Sequence, residues 1–276
     1  MKVVLFCGGK GVRLADPHGT PKPLVMVRDR PLIWHLMKYY AHYGHKDFIL
    51  CLGHGADKFK DYFLHSNHCM SNSVRSGGKR FVTAASRGAD RWRVTLVETG
   101  LESNLGARLT AVRPFLEGEE NFLANYADGL TDCPLPQLEQ RHTASEAVAT
   151  FMAARPPVSF HFVQTKASGA VAGIHSIEKA DLWVNAGFFV LNREIFDHLR
   201  PGEELVEQPF QRLILRGLLQ AVRHRGFWQP VDTQKDLQTV TGWALAGIAP
   251  WEIWRTSSAP AARNPANDLR LPALAS

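Results

Sequence analysis

The strongest constraint on the fold comes at the start of the chain. An apolar run from Lys2 to Phe6 stops abruptly at Cys7-Gly8-Gly9. Such a short, unalternating run fits a strand covered on both faces, and glycines behind it let backbone N–H groups approach a ligand with no Cβ in the way. The pattern then repeats. Leu32, Ile33, Leu36, Met37 and Tyr40 share one helical face, with Pro31 at the helix start and Gly44 past its end. Residues 48–52 read as a strand, 56–64 as a helix, 93–97 as a strand, 107–115 as a helix and 121–126 as a strand ending at Asp128-Gly129. Strands alternating with helices predict an α/β fold with a doubly wound, mostly parallel sheet, and such sheets bind ligands beyond the carboxyl ends of their strands. Gly8-Gly9, Thr99-Gly100 and Asp128-Gly129 all fall at such ends.

The second half is less regular. Residues 137–154 read as a helix stopped by Arg155-Pro156-Pro157, and 158–164, 173–177 and 184–191 as strands. Helices at 209–216 and 235–245, with a strand between them, complete the pattern, and from Thr256 the Ser, Ala, Pro and Asn content predicts a loosely ordered tail. No run approaches the roughly 20 apolar residues of a membrane span, and Gly8-Gly9-Lys10 cuts the N-terminal run too short for a signal peptide. A cytoplasmic location without membrane contact is the expectation. The four cysteines (Cys7, Cys51, Cys69, Cys133) form no C-x-x-C pair and are expected as free thiols. Twelve histidines include His42-x-x-His45 and His65-x-x-His68-Cys69, but no second ligand pair completes a tetrahedral zinc site. The net charge of +6 suits a small anionic substrate. Because the basic residues are dispersed, no nucleic-acid partner is expected, and Arg75 to Arg93 reads as a solvated loop.

The chemistry-bearing segment is Phe6-Cys7-Gly8-Gly9-Lys10-Gly11-Val12-Arg13-Leu14, followed by Thr20-Pro21-Lys22-Pro23-Leu24. Arg13 offers a planar, multi-donor head for phosphate oxygens and Lys22 a compact point charge. Neither the dinucleotide G-x-G-x-x-G fingerprint nor a Walker A loop is met, which disfavours a nicotinamide-dependent oxidoreductase.

Gly8-Gly-x-Gly-x-Arg13-Leu14 with Pro21-Lys22-Pro23 resembles the sugar-phosphate nucleotidyltransferase family, in particular its glucose-1-phosphate cytidylyltransferases. Further stretches carry the resemblance to about Trp254: Pro31 to Lys38, Lys46 to Ile49, Val94 to Gly100, Gly106 to Leu109, Asn185 to Leu191, Gly226 to Thr233 and Ala249-Pro-Trp251. It implies a Rossmann-like nucleotidyltransferase domain over residues 1–255 with a smaller sugar-side extension. The nucleotide half would span about 1–130, the acceptor half about 131–255, and residues 256–276 the tail.

The implied reaction transfers a nucleoside monophosphate, from CTP by preference, to a sugar 1-phosphate, glucose 1-phosphate by preference, with release of pyrophosphate. UTP or dTTP, another phosphorylated acceptor, or a non-catalytic nucleotide-binding relative are the alternatives. The resemblance assigns Arg13, Lys22, Asp128 and Asp232 to catalysis, with Asp128 and Asp232 as Mg²⁺ ligands. Taken singly, those aspartates also suit a turn before Gly129 and a helix N-cap. Nucleotide contacts are implied for Leu5, Phe6, Cys7, Gly8, Gly9, Lys10, Gly11, Val12, Arg13, Lys22, Ser103, Arg108 and Ala127. Sugar-phosphate contacts are implied for Glu178, Lys179, Asn185 and Gly187. Arg108 also suits an exposed helix position. The partners would be small molecules, with a homo-oligomer expected by the same resemblance. Against the family's pattern, Thr20 stands in place of lysine, Ala127 in place of glycine and Ala180 in place of proline. The segment from Gln164 to Asp181 also differs from the usual sugar-side loops.

Overall fold

A computed structural model describes residues 1–9, 19–65, 75–76, 81–85, 91–157, 160–177 and 181–255. Its strands and helices run in the order β1 (Val3–Phe6), β2 (Met26–Val27), β3 (Arg30–Pro31), α1 (Leu32–His42), β4 (Asp47–Leu52) and α2 (Ala56–His65). The chain continues through β5 (Arg75–Ser76), β6 (Phe81–Ala85), β7 (Arg93–Glu98), α3 (Leu105–Val112), β8 (Asn121–Asn125), β9 (Gly129–Thr131) and α4 (Leu135–Thr143). It ends with β10 (Ala149–Ala154), β11 (His161–Thr165), β12 (Val171–Ser176), β13 (Val184–Asn192), α5 (Gln208–Leu215), β14 (Leu219–His224), β15 (Trp228–Pro230) and α6 (Gln234–Leu245).

Nine strands form one sheet in the order β14-β10-β13-β8-β1-β4-β7-β6-β5. The centre, β8-β1-β4-β7, is parallel throughout, and β10 and β14 are parallel to each other. β13 is antiparallel to both its neighbours, and β5-β6 form an antiparallel edge. The chain steps from β1 out to β4 and β7, then returns to place β8 on the other side of β1. That reversal opens a crevice beyond the carboxyl ends of β1 and β8, where ligands bind in open α/β sheets.

The apolar residues sort into one cluster per face of the sheet. Val3, Leu5, Leu50 and Phe188 pack with α1, Phe59 of α2, Leu138 of α4 and Trp251 on one side. Val4, Phe6, Ile49 and Phe189 pack with Leu109 of α3 and Phe210 of α5 on the other. The unalternating strand at residues 3–6 thus feeds both cores, as a central parallel strand must.

Three expectations need correction. The helix expected over 137–154 ends at Thr143, and Ala149–Ala154 is a strand buried between β13 and β14. A strand covered on both sides loses the period-2 signal, and its alanines carry a helical bias that tertiary packing overrides. Two strands, β14 and β15, lie between α5 and α6 where one was expected. The stretch read as a solvated loop from Arg75 to Arg93 contributes β5 and β6 to the sheet edge. The tail from Thr256 and the His68-Cys69 pair lie outside the described residues.

Candidate active site

β1 ends at Phe6, and the Cys7 backbone N–H donates to the Cys51 carbonyl at 3.0 Å, which keeps the first turn against the end of β4. A Cβ on Gly8 would lie 1.9 Å from Nη1 of Arg108, so any larger residue there would displace the guanidinium. The Arg108 side chain, on α3, reaches into the space between the strand ends and is 4% exposed. Its Nη2 donates to the Gly8 carbonyl at 3.0 Å and its Nη1 to Thr99 Oγ1 at 2.8 Å and the Leu52 carbonyl at 3.3 Å. One guanidinium therefore ties together the carboxyl ends of β1, β4 and β7. Burial pushes its pKa down, partly offset by the neighbouring Cys51 and Cys7. Ser103 lies on the same rim, its hydroxyl donating to the Thr99 carbonyl at 2.6 Å.

On the other side of the crevice, β8 runs into Tyr126-Ala127-Asp128. Ala127 has φ of 62°, a left-handed conformation that favours glycine. The buried Asn125 side chain holds it there: its Oδ1 accepts the Ala127 N–H at 2.7 Å while its Nδ2 donates to the Tyr40 hydroxyl at 3.2 Å. Asp128 emerges from this turn. Its carbonyl accepts the Val231 N–H at 2.8 Å, continuing the β9–β15 pairing of Gly129 with Pro230. That ladder carries the second aspartate to the first. Thr233, not Asp232, is the N-cap of α6, closed by a capping box with Asp236. The Asp232 side chain is therefore free of the cap.

Lys22 meets both carboxylates. It opens a short 3₁₀ turn between Pro21 and Pro23, and Pro21 packs so closely on Gly55 that a Cβ there would lie 2.4 Å from Pro21 Cγ. Lys22 Nζ donates to Asp128 Oδ2 at 3.0 Å and also to Asp232 Oδ1. These partners are 106 and 210 residues away in sequence. Burial raises the Asp128 pKa, Lys22 pulls it back down and Asp232 raises it further, as expected of two like charges around one cation.

On the acceptor side, Asn185 Nδ2 donates to the Tyr126 hydroxyl at 3.1 Å, and its Oδ1 accepts the Gly187 N–H at 2.9 Å. Gly187 has φ of 79° and lies over the Tyr126 ring, where a Cβ would approach to 2.5 Å.

The structure thus gathers Cys7, Gly8, Gly9, Lys22, Ser103, Arg108, Ala127, Asp128, Asn185, Gly187 and Asp232 around the β1–β8 crevice. Leu5 and Phe6 put their side chains into the two cores, leaving backbone alone for any ligand. Arg108, for which an exposed position was one reading, is buried. Lys10, Gly11, Val12, Arg13, Glu178 and Lys179 lie outside the described residues. Sequence reasoning pointed to Thr99 only as a strand end and missed Asn125 and Tyr126. The available signal was a lone asparagine in the apolar Phe122-Leu-Ala-Asn125 run, just before the aspartate turn. Among the described residues, no three His, Cys, Asp or Glu side chains cluster as metal ligands. The donor set here is two carboxylates already converged on one cation, which fits Mg²⁺, since magnesium takes one or two carboxylates and completes its shell with phosphate oxygens and water.

Comparison with known proteins bears on the family and the fold. Residues 2–242 match the family model described as nucleotidyl transferase. The chain is 36% identical over 257 residues to glucose-1-phosphate cytidylyltransferase of Salmonella typhimurium, covering 92% of this chain and 100% of the relative. It is 24% identical over 258 residues to a mannose-1-phosphate guanyltransferase of Yarrowia lipolytica, covering 90% of this chain and 65% of that one. A Bacillus anthracis structure described as a glucose-1-phosphate thymidylyltransferase superposes with a TM-score of 0.63 at 16% identity, covering 95% of this chain and 98% of that one, and shares the fold. The chain belongs to the nucleotidyl transferase family.

Proposed function

We infer that the protein transfers the cytidylyl group of CTP to glucose 1-phosphate, forming CDP-glucose and releasing pyrophosphate. The observation that carries this reading is the meeting of Asp128 and Asp232 on the Lys22 ammonium at the sheet's switch point. The substrate pair follows the 36% identical cytidylyltransferase, which this chain spans in full.

The acceptor phosphate is already an anion at neutral pH, so attack on the α-phosphorus requires no general base. The chain's task is to bring two polyanions together and to stabilise charge on the α-phosphoryl oxygens and the departing pyrophosphate. Gly8 and Gly9 offer backbone N–H groups to the nucleotide, and Arg108 fixes the carbonyl side of that turn. Asp128 and Asp232 would hold Mg²⁺, which when bound neutralises phosphoryl oxygens. Lys22 presents its ammonium to the α-phosphate, with Arg13 taking the triphosphate. Asn185 and Gly187 shape the sugar side with Glu178 and Lys179.

The reading includes assembly with further copies of the chain in the cytoplasm. The two-stranded ribbon β11–β12 supports self-association, with Val163 52% and Ile174 63% exposed. No helix among the described residues is long and apolar enough to cross a membrane.

The test is pyrophosphate release from each of four nucleoside triphosphates against a panel of phosphorylated acceptors, with magnesium present. CTP with glucose 1-phosphate should give the highest kcat/KM. Asp128→Asn and Asp232→Asn should each cut kcat by at least about 100-fold while circular dichroism stays native. Full turnover in either variant removes the assigned carboxylate role.

A further inference from the structure

Away from the carboxylate pair, at the outer end of β13, an unusual group of cations collects on one indole. The Arg155, Arg223 and Arg225 guanidinium carbons lie 5.7, 5.1 and 5.5 Å from the centroid of the Trp183 ring. Cation–π contacts of this kind occur about once in 70–80 residues, so three on a single ring mark a built arrangement. Strand register explains it. β10 and β14 run parallel, pairing Ala153 with Arg223 and Ala154 with His224, while Ala154 pairs with Val184 of β13. One residue further on, the ends of all three strands present Arg155, Trp183 and Arg225 side by side. Asp181 braces the group: it accepts the Trp183 indole N–H at 2.7 Å and lies 3.6 Å from Arg223 Nη1. All three arginines are exposed while the indole is half-buried, so the ring serves as a scaffold on which guanidinium groups gather at the surface.

The position relative to the acceptor side gives this cluster meaning. Side chains alternate along an extended chain, so Trp183, immediately before β13, falls on the same side as Asn185. Trp183 stands two residues, about 7 Å, beyond Asn185, on the side away from the Gly187 backbone that meets Tyr126. We propose that Arg155, Arg223 and Arg225, assembled on Trp183, form a second phosphate-binding site at the outer end of the acceptor cleft, separate from Lys22 and the carboxylates. Its placement at the acceptor cleft rests on the function inferred above; its affinity for phosphate does not. Guanidinium forks match phosphate oxygens, and three of them at one point suit a dianionic phosphoryl group. A sugar with its 1-phosphate at the reaction centre would extend its far end toward this cluster. The phosphate is therefore either carried on that far end of the acceptor or supplied as a free anion.

Calorimetric titration in metal-free buffer tests the site with inorganic phosphate, glucose 1-phosphate and glucose 1,6-bisphosphate as probes. Wild-type protein should bind inorganic phosphate, the R223A/R225A double variant at least tenfold more weakly, and Lys22→Ala as tightly as wild type. Arg155→Ala, a single exposed side chain past the end of β10, should weaken binding in the same direction and covers the case of a poorly folded double variant. A bisphosphate bound tenfold more tightly than the monophosphate, with that gain lost in R223A/R225A, places the phosphate on the acceptor. No such gain, with inorganic phosphate still bound, makes the ligand a free anion. Phosphate affinity equal in wild type, R223A/R225A and Arg155→Ala, or lost on Lys22→Ala, overturns the site. Pyrophosphate release by the wild-type enzyme reports separately on the inferred reaction.

Discussion

At Gly8 a single hydrogen atom where other residues have a Cβ decides whether the nucleotide turn can form. An added methyl would lie 1.9 Å from the Arg108 guanidinium, which could move aside only by giving up its hydrogen bonds to Gly8, Leu52 and Thr99. Gly9, its neighbour, has nothing within 4 Å of the same position among the described residues. Gly8→Ala should therefore cost about 1–3 kcal/mol in urea unfolding and weaken CTP binding at least tenfold, while Gly9→Ala leaves the unfolding midpoint unchanged. Equal midpoints for the two variants would count against the packing described for Arg108. The importance of Gly8 was legible in the sequence from its place behind a strand. Its reason was not, because Arg108 lies 100 residues further on. Ala127 shows the reverse: a left-handed residue that its alanine identity hides and only the Asn125 hydrogen bond explains.

Between elements, pairings of short strands carry the functional geometry. β9 and β15 have three residues each, yet their ladder sets Asp128 beside Asp232, and the capping box on Thr233 keeps the α6 N-terminus from claiming Asp232. Both features lie in segments too short for periodicity to register, which is why a single strand was expected where β14 and β15 occur. A partly buried ion pair braces the same region: His224 Nε2 and Asp132 Oδ1 are 2.6 Å apart, and Asp132 Oδ1 also accepts the Phe227 N–H at 2.8 Å. Burial alone would lower the His224 pKa, but the Asp132 bond and the nearby Cys133 carry it up to about 9. A histidine raised above its unfolded value of about 6.5 contributes stability that is complete below that pH. The contribution disappears as pH rises through the folded value. Unfolding free energy should thus fall by about 2 kcal/mol between pH 6.5 and 9.5, allowing for solvent at the Asp132 side, and Asp132→Asn should flatten that slope. An unchanged slope in that variant would show that other groups carry the pH dependence.

Over the whole molecule, the last described segment locks onto the first helix. Trp251 is 1% exposed, donates its indole N–H to His35 Nδ1 at 3.2 Å and stacks on Phe227 at 5.8 Å. It joins α1 to the β9–β15 region beneath the carboxylates. Trp251→Ala should cost about 3–5 kcal/mol in chemical denaturation and lower the temperature at which both activity and near-ultraviolet dichroism are lost. Activity melting well below the dichroism would mean that the site opens independently of this core.

The strand–glycine punctuation, the helical faces and the composition were sufficient, without coordinates, to specify an α/β sheet with its ligand edge at Gly8, Thr99 and Asp128. These are local signals, set by side-chain period and backbone sterics within a few residues. The meeting of Lys22 with two carboxylates 106 and 210 residues away, the burial of Arg108 under Gly8, and the gathering of three arginines on Trp183 were decided by tertiary structure alone. Strand order and register determine which distant residues become neighbours, and no local period encodes either.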